Sequence, residues 1–531
     1  MYGICYGACM HGIDGKTVRV EVDLSNGLPT FSIVGLPDSA VRESTERVRA
    51  ALKNGSFDFP LRRITVNLAP ADVRKEGAAF DLAIAVGILL TSGQWPASIA
   101  DGTLFLGELS LHGDVRPVHG VLAMALAARD DGFTRLVVPW DNAREAALVD
   151  GLEIVPVRRL ADVLSPGRCF SDDNALGLER NHTRSEPPGE DLDFADVVGQ
   201  LQSKRALAVA AAGRHNVLFI GPPGSGKTML MRRLGTILPP LDDDEALEVT
   251  KVYSASGMLA DRGALVRRRP FRAPHHTISP QGLIGGGASP RPGEASLAHR
   301  GVLFLDELPE FPRAVLEALR QPLEDGAVTI ARAKGAFTFP ARFALAATMN
   351  PCPCGYDGYD FDNRGCSCPL PRRVAYLSRL SGPLIDRIDM TMDVPRLSPG
   401  EAGEWSRTGG YAGMDTQQLQ KLVERAQAAQ RERYAGTGIR CNSELSGKLL
   451  RRYCPLSPDA SALLLRAYGS LGLSARAHDR VLKVARTIAD VEGAERIEAA
   501  HMNEALSYRA FELRQQRLRE GMKLGADAPS R

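Results

Sequence analysis

The octapeptide Gly221-Pro222-Pro223-Gly224-Ser225-Gly226-Lys227-Thr228 follows an apolar run and precedes a helical pattern. Glycines at this spacing let backbone N–H groups turn inward around an anion, and the start of the next helix favours negative charge. Lys227 then suits the β- and γ-phosphates of ATP, and Thr228 suits their Mg²⁺. About eighty residues on, "GVLFLDE" is an apolar strand delivering Asp306 and Glu307 at its tip. Asp306 is placed for the Mg²⁺ shell and Glu307 for polarising a water. A third strand, "FALAATMN", ends at Asn350, an amide able to orient that water or sense the γ-phosphate. Arg387 in "SGPLIDRIDM" sits between two acids at a helix end. It reads either as a surface ion pair or as a cation reaching a neighbouring subunit's site. Arg476 opens a helix in the last third of the chain, where it is expected to contact nucleotide from a lid.

Four of the nine cysteines follow Asn350 closely, as Cys352, Cys354, Cys366 and Cys368 in "NPCPCGYDGYDFDNRGCSCP". Two Cys-x-Cys pairs can close a tetrahedral thiolate site for Zn²⁺, although Cys-x₂-Cys is the commoner spacing. The segment is rich in Gly, Asp and Tyr, which offers little core, and no general base stands beside it to make a catalytic thiol. A metal would fold a loop too polar to order itself.

Positive charge concentrates in "RRRPFR", with Arg267, Arg268, Arg269 and Arg272, and in "VTIARAKGAFTFPAR", with Arg332, Lys334 and Arg342. Such groups bind phosphates of DNA without reading sequence. The second stretch reads as a hairpin turning near Gly335. Phe271 and Phe337 can stack on bases, but core packing is the expected use. His275 and His276 lack Cys or acidic partners at ligand spacing, so they read as structural or as part of a pore loop.

These groups need elements to hold them, and the pattern divides into three blocks of an α/β chain. Residues 1–165 alternate strands and helices: "VRVEVDL" and "RRITVNLAP" are strands. "DSAVRESTERVRAALKNG" is a helix capped by Asp38 or Ser39 and stopped by Gly55. "LFLGELSLHGDVRPV" is a hairpin turning at His112–Gly113–Asp114. A polar linker, 166–193, precedes the phosphate-loop block, 194–396, which carries the cysteine loop 352–368. Residues 416–531 form an all-helical block.

The chain has 531 residues, 44% hydrophobic and 24% charged, with a net charge of +2. That is ordinary for a soluble protein and compels neither a nucleic-acid nor a membrane partner. The N-terminus lacks a signal-peptide pattern, and the apolar stretch Phe80 to Leu90 contains Asp81 and is too short to span a bilayer. A cytoplasmic protein with reduced thiols is expected.

The motifs "RPFRAPHHTIS", "LIGGG", "PRPGEASLAHRGVLFLDELPEF", "ATMNPCPCG", "SGPLIDRID" and "SARAHDRVLKVARTIAD" resemble those of an AAA+ ATPase of the magnesium-chelatase type. With "FSIVGLPDSAVRESTERVRAALKNG" and "ITVNLAPADVRKEG" added, the whole chain resembles the ComM/YifB family of bacterial magnesium-chelatase-like proteins. The resemblance implies an AAA+ α/β domain with a C-terminal helical lid, assembled as a homo-hexameric ring that hydrolyses ATP. It also implies binding to single-stranded or branched DNA, and helicase action in branch migration during natural transformation, with recombination proteins as possible partners. Asn350 then corresponds to the first sensor, Arg387 to an arginine finger acting in trans, and Arg476 to the second sensor.

The first block is similar to the Lon protease catalytic domain through "GELSLHGDVRPVHGVLAMALAA" and "RLVVPWDNAREAALV". The nucleophile position of that family falls on Ala79 and the activating Lys on Met124. Neither side chain can form a Ser–Lys dyad, so an inactive Lon-like domain is expected. A chelatase-like remodelling ATPase or an ATP-dependent protease component are the alternative functions.

Overall fold

A computed structural model of the chain describes residues 1–71, 74–164, 192–259, 263–287, 290–332, 335–359, 365–396, 414–471, 474–516 and 518. The expected linker, 166–193, therefore falls almost wholly outside the described residues.

The first block is built on one sheet. Its strands are β1 (Tyr2–His11), β2 (Asp14–Ser25), β3 (Thr30–Val34), β4 (Arg63–Ala69) and β5 (Thr103–Phe105). The hairpin β6 (Glu108–Leu109) and β7 (Val115–Arg116) follows, then β8 (Arg135–Pro139) and β9 (Glu153–Val157). The sheet order is β3-β4-β2-β1-β5-β8-β9, antiparallel through β1, β2 and β4 and parallel from β1 outward to β9. The helix Ser39–Asn54 starts where Asp38 accepts the Val41 N–H at 2.8 Å and stops at Gly55. The helix Asp81–Thr91 is apolar on all sides and nearly fully buried. Its one charge, Asp81, accepts from Arg47 at 2.6 Å, from the Leu109 N–H at 3.2 Å, and from Ser44. A buried carboxylate is tolerated only with such pairing.

The second block holds the parallel sheet that matters for chemistry. Its strands are β10 (Val217–Ile220), β11 (Phe271–Arg272), the ribbon β12 (Gly285–Gly286) with β13 (Arg291–Pro292), and β14 (Val302–Leu305). The hairpin β15 (Ala327–Arg332) and β16 (Gly335–Pro340), then β17 (Ala344–Met349) and β18 (Met390–Asp393), complete it. The five-stranded order is β11-β14-β17-β10-β18, parallel throughout. β10 and β14 are buried at every position, as strands covered on both faces must be.

The third block is helical, with Thr416–Arg433, Gly447–Tyr453, Pro458–Leu471, Ala475–Glu492 and Ala499–Ser507. Its first helix begins with a capping box, Asp415 and Gln418 reciprocally bonded. The block packs on the Ala-rich helix Leu201–Gly213, whose small side chains let neighbouring helices approach closely, and the two share one apolar core. No helix among the described residues is long and apolar enough to cross a membrane.

Asp490 is the polar centre of this helical block and is fully buried. It accepts from Arg433 at 2.9 Å, Arg486 at 3.0 Å and Asn442 at 2.8 Å. Asp490→Ala would leave two guanidinium groups without their carboxylate. The expected cost is about 3–5 kcal/mol, the range for breaking a buried ion pair from one side. Chemical denaturation followed by circular dichroism checks this, and an unshifted helical transition would contradict it.

Candidate nucleotide site and cysteine cluster

The parallel register lines up the ends of three neighbouring strands. Ile220 pairs with Met349, and Leu305 pairs with Ala347, so the chain leaves β10, β14 and β17 at the same edge. Gly221 onward, Asp306–Glu307 and Asn350 therefore converge. This is the edge where open α/β sheets bind ligands.

Gly224 and Gly226 take φ of 76° and 83°, so the loop turns without steric cost. The Lys227 side chain folds back into the loop. Its Nζ donates to the carbonyls of Gly221 at 2.8 Å and Pro222 at 2.9 Å, and approaches Asn350 Oδ1 at 3.4 Å. Burial lowers its pKa to about 8, against the opposing pull of Asp306 and Glu307. Thr228 Oγ1 donates to Asp306 Oδ2 at 3.0 Å, and Thr348 also donates to Asp306. Glu307 adopts a left-handed φ of 55°, an uncommon conformation for a residue with a Cβ, and its N–H donates to Thr348 Oγ1 at 3.1 Å. The hydroxyl–carboxylate pair Thr228–Asp306 fits the oxygen-donor chemistry of Mg²⁺.

Two further residues seat the loop, and sequence reading did not single them out. Arg396 donates to the Pro223 carbonyl from Nη2 at 2.6 Å and Nε at 2.9 Å. Arg514, nearly three hundred residues away in sequence, donates to Asp393 Oδ1 at 2.8 Å at the end of the neighbouring strand β18. No local signal marks either one, because both act through contacts distant in the chain.

Arg387 lies at the opposite end of the sheet. It precedes β18, and its carbonyl accepts from Asn216, the residue before β10, at 2.7 Å. β10 and β18 run parallel in register, so the length of β10, about 10 Å at about 3.3 Å per residue, separates it from the phosphate loop of its own chain. Arg387 pairs with Glu324 and donates to the Pro383 carbonyl at 2.7 Å. Arg476, expected against nucleotide from the lid, comes to the same acid, 3.9 Å from Glu324. The structure thus brings Arg476 to Arg387 and not to Lys227 of its own chain.

The basic run is divided by strand geometry. Arg269 is buried, where it donates to Glu245 at 2.6 Å and to the carbonyls of Pro239 and Arg300. Burial alone would raise Glu245, but Arg214 and Arg269 hold it down at about 2. Arg272 makes a two-pronged pair with Glu294 at 2.7 Å on each arm, and Arg267 pairs with Asp243. The expectation of a continuous DNA-facing run is corrected for Arg269 and Arg272. They lie where the chain enters β11, and Glu245 and Glu294 each occupy one of them. Arg268, Arg332 and Arg342 are exposed, and Lys334 lies outside the described residues. Phe271 packs on Phe304 with ring centroids 5.9 Å apart, and Phe337 stacks on His11 of the first block at 4.8 Å. The rings of His275 and His276 lie 4.0 Å apart, with His275 Nδ1 2.9 Å from Thr277 Oγ1. Ala79 and Met124 are both buried.

The four cysteines converge. Their sulfurs all lie within 4.8 Å of one another, and Cys352–Cys354, Cys354–Cys366 and Cys352–Cys366 are 3.3, 3.6 and 3.7 Å apart. All four are free thiols. A tetrahedral site with metal–sulfur bonds of about 2.3 Å has sulfur–sulfur edges of about 3.8 Å, close to this spacing. Burial pushes the Cys366 thiol up to about 12 and raises Cys352 as well. Against the same push, the Tyr356 amide and the Cys352 thiol bring Cys354 down to about 6. This is the one His, Cys, Asp or Glu cluster of ligand geometry among the described residues.

Known proteins resemble this chain along most of its length. The family model described as magnesium chelatase, subunit ChlI, matches residues 193–402. Companion models for subunit ChlI and its C-terminal part match residues 20–142 and 413–509. The chain is 45% identical to competence protein ComM of Haemophilus influenzae, over 96% of this chain and 97% of that protein. It is 40% identical to the protein YifB of Escherichia coli, over 94% of this chain and 96% of that one. A Lon protease of Brucella suis is 24% identical over 36% of this chain and 24% of its own length. The chain belongs to the ComM/YifB family of magnesium-chelatase-like AAA+ proteins, a fold that implies an ATPase, and it carries a Lon-like region at its N-terminus.

Proposed function

We propose that the chain hydrolyses ATP as a hexameric ring motor on single-stranded or branched DNA, a helicase that promotes branch migration of incoming DNA during natural transformation. The observation that carries this reading is the arrangement of one sheet. Lys227, Thr228, Asp306, Glu307 and Asn350 meet at one edge and Arg387 sits at the other.

In this reading the loop N–H groups and Lys227 bind phosphates. Thr228 and Asp306 would hold Mg²⁺, which supplies neutralising charge at the phosphate oxygens. Glu307 polarises the attacking water, and Asn350 orients it while reading the terminal phosphate. Arg387 cannot serve its own loop from the far end of the sheet, so it serves the neighbour's. Arg476 accompanies it, and a lone subunit then has an incomplete site. The competence role named for the Haemophilus relative supports incoming DNA as the substrate and recombination proteins as further partners. Exposed Arg268, Arg332 and Arg342 supply candidate phosphate contacts.

The deciding experiment is ATPase rate with and without single-stranded and branched DNA. DNA stimulation is expected, with Glu307→Gln retaining ATP while its turnover falls by about 10²-fold or more. Absence of both stimulation and DNA binding at low salt would sink the motor reading.

The trans assignment has its own test. Arg387→Ala should lower turnover on the order of 10³-fold, the lower end for an arginine finger. Mixing it with Lys227→Ala chains should restore part of the activity. Mixed rings would then contain interfaces with an intact phosphate loop on one side and an intact Arg387 on the other. Two preparations that stay inactive when mixed would refute it.

Lys227 also sets a pH dependence. Below its pKa of about 8 the amine already carries the charge a phosphate needs. Above it, binding must take up a proton, so nucleotide affinity should fall by up to about tenfold per pH unit. Titration of a fluorescent ATP analogue at pH 7 and pH 9 reads this directly, and a flat Kd contradicts it.

A further inference from the structure

The cysteine segment and the phosphate loop are in contact, and the contact is made by residues between the two cysteine pairs. Gly355 follows Cys354 directly and takes φ of 86°. A Cβ built on it would lie 2.5 Å from Pro223 Cδ and 2.8 Å from Pro223 Cγ, so the proline ring packs on the Gly355 backbone with no room for a side chain. Tyr356 lies beneath the guanidinium of Arg396, 5.7 Å from its ring centroid, and that same guanidinium grips the Pro223 carbonyl. Tyr359 donates to Asp393 at 3.1 Å and approaches the carbonyl of Ile220, the last residue before the loop, at 3.5 Å.

The other side of the cysteine segment is anchored as firmly. Asp357 accepts from Arg373 at 2.7 Å, and its carbonyl accepts from Arg514 at 3.0 Å. Arg514 also bonds Asp393 at 2.8 Å and stacks over Tyr359 at 5.1 Å. Cys352 is fully buried and Cys368 nearly so, and the Cys368 N–H points at Cys366 Sγ at 3.4 Å. Amide–sulfur contacts of this kind orient and stabilise thiolates in metal sites. The four sulfurs converge with no disulfide between them, which leaves metal binding or packing as their use.

We propose that Cys352, Cys354, Cys366 and Cys368 bind one soft divalent cation of the zinc class as thiolates. The resulting knot sets the shape of the phosphate loop by holding Gly355, Tyr356 and Tyr359 against Pro223, Arg396 and Ile220. Binding releases the protons that the thiols carry and changes no oxidation state. The metal does no chemistry on nucleotide. It fixes a wall of the nucleotide site, so its loss loosens nucleotide binding without touching Lys227 or Thr228. The coupling rests on the reading of Gly221–Thr228 as a nucleotide loop.

The test uses the full-length protein, Zn²⁺ itself and a fluorescent ATP analogue with Mg²⁺. About one Zn²⁺ per chain is expected by elemental analysis, set by the four-sulfur ligand count. Displacing it with a thiol-blocking mercurial, then removing the mercurial under chelation, should raise the nucleotide Kd by about 10-fold or more, the scale of outer-shell effects in metal sites. Returning Zn²⁺ should restore the original Kd. Gly355→Ala keeps every sulfur, so it should retain Zn²⁺ and still weaken nucleotide binding, which decides the matter even if the metal-free protein precipitates. Less than stoichiometric Zn²⁺ with four freely reactive thiols would overturn the metal site. Stoichiometric Zn²⁺ with an unchanged Kd in Gly355→Ala would overturn the coupling. Failure of the untreated protein to bind nucleotide would instead overturn the reading of the loop, whatever its metal content.

Discussion

Lys227 is a charged amine in a mostly buried position, and what surrounds it is incomplete. Two loop carbonyls accept from it and an amide oxygen lies a little farther off, while Asp306 and Glu307 act on it only through space. Burying an ammonium group without full pairing is unfavourable, which is why its pKa is drawn down. The nearby groups keep the charge bearable, and a bound phosphate would complete its coordination. Three strands of the second block converge on this one position. β10 delivers the loop, β17 delivers Asn350, and β14 delivers the acids. Arg396 and the cysteine segment hold the loop from outside.

A parallel sheet has two different edges, and this chain uses both. Because β10, β17 and β14 leave the sheet together, groups far apart in sequence meet without any long side chain having to reach. The same register sends the segment before β18 to the other edge. Arg387 therefore cannot meet Lys227 within one subunit, however its side chain turns. Glu324 holds Arg387 and draws Arg476 toward the same place, and it sits just before the hairpin β15–β16. In the proposed ring, the two arginines that face the neighbour's nucleotide both pair with Glu324, on the short helix Arg320–Asp325 that leads directly into the hairpin.

What was legible in the sequence follows from range. The phosphate loop and the acidic strand tip are local patterns legible as such, and the first helix's cap is narrowed by sequence to Asp38 or Ser39, of which the structure uses Asp38. The convergence of the cysteines was readable because ligand spacing implies it. The basic run misled because a count of charges cannot say which residues face inward. The chain enters β11 there, so Arg269 turns toward Glu245, an acid that also needs Arg214. Nothing near Arg269 in sequence announces that acid. Arg396 and Arg514 went unnoticed for the same reason, since each gains its role only from a distant partner.

The first block is tied to the second through its own core and a few cross-block contacts. Ala79 and Met124 fill their positions as apolar side chains in the core, and the contacts the block makes outward are structural. Its first turn places His11 on Phe337 and Ile13 among Val252, Val328 and Phe339, which braces the hairpin β15–β16. Glu145, itself buried, accepts from Ser254 at 2.5 Å, and Asp14 pairs with Lys251 on the same helix, Asp243–Ser256. A buried carboxylate shared between two blocks resists their separation, because pulling them apart strips it of a hydrogen bond inside low-dielectric surroundings. The block thus braces the hairpin and the helix beside it. In the proposed motor, a hairpin that moves against DNA would work from this brace.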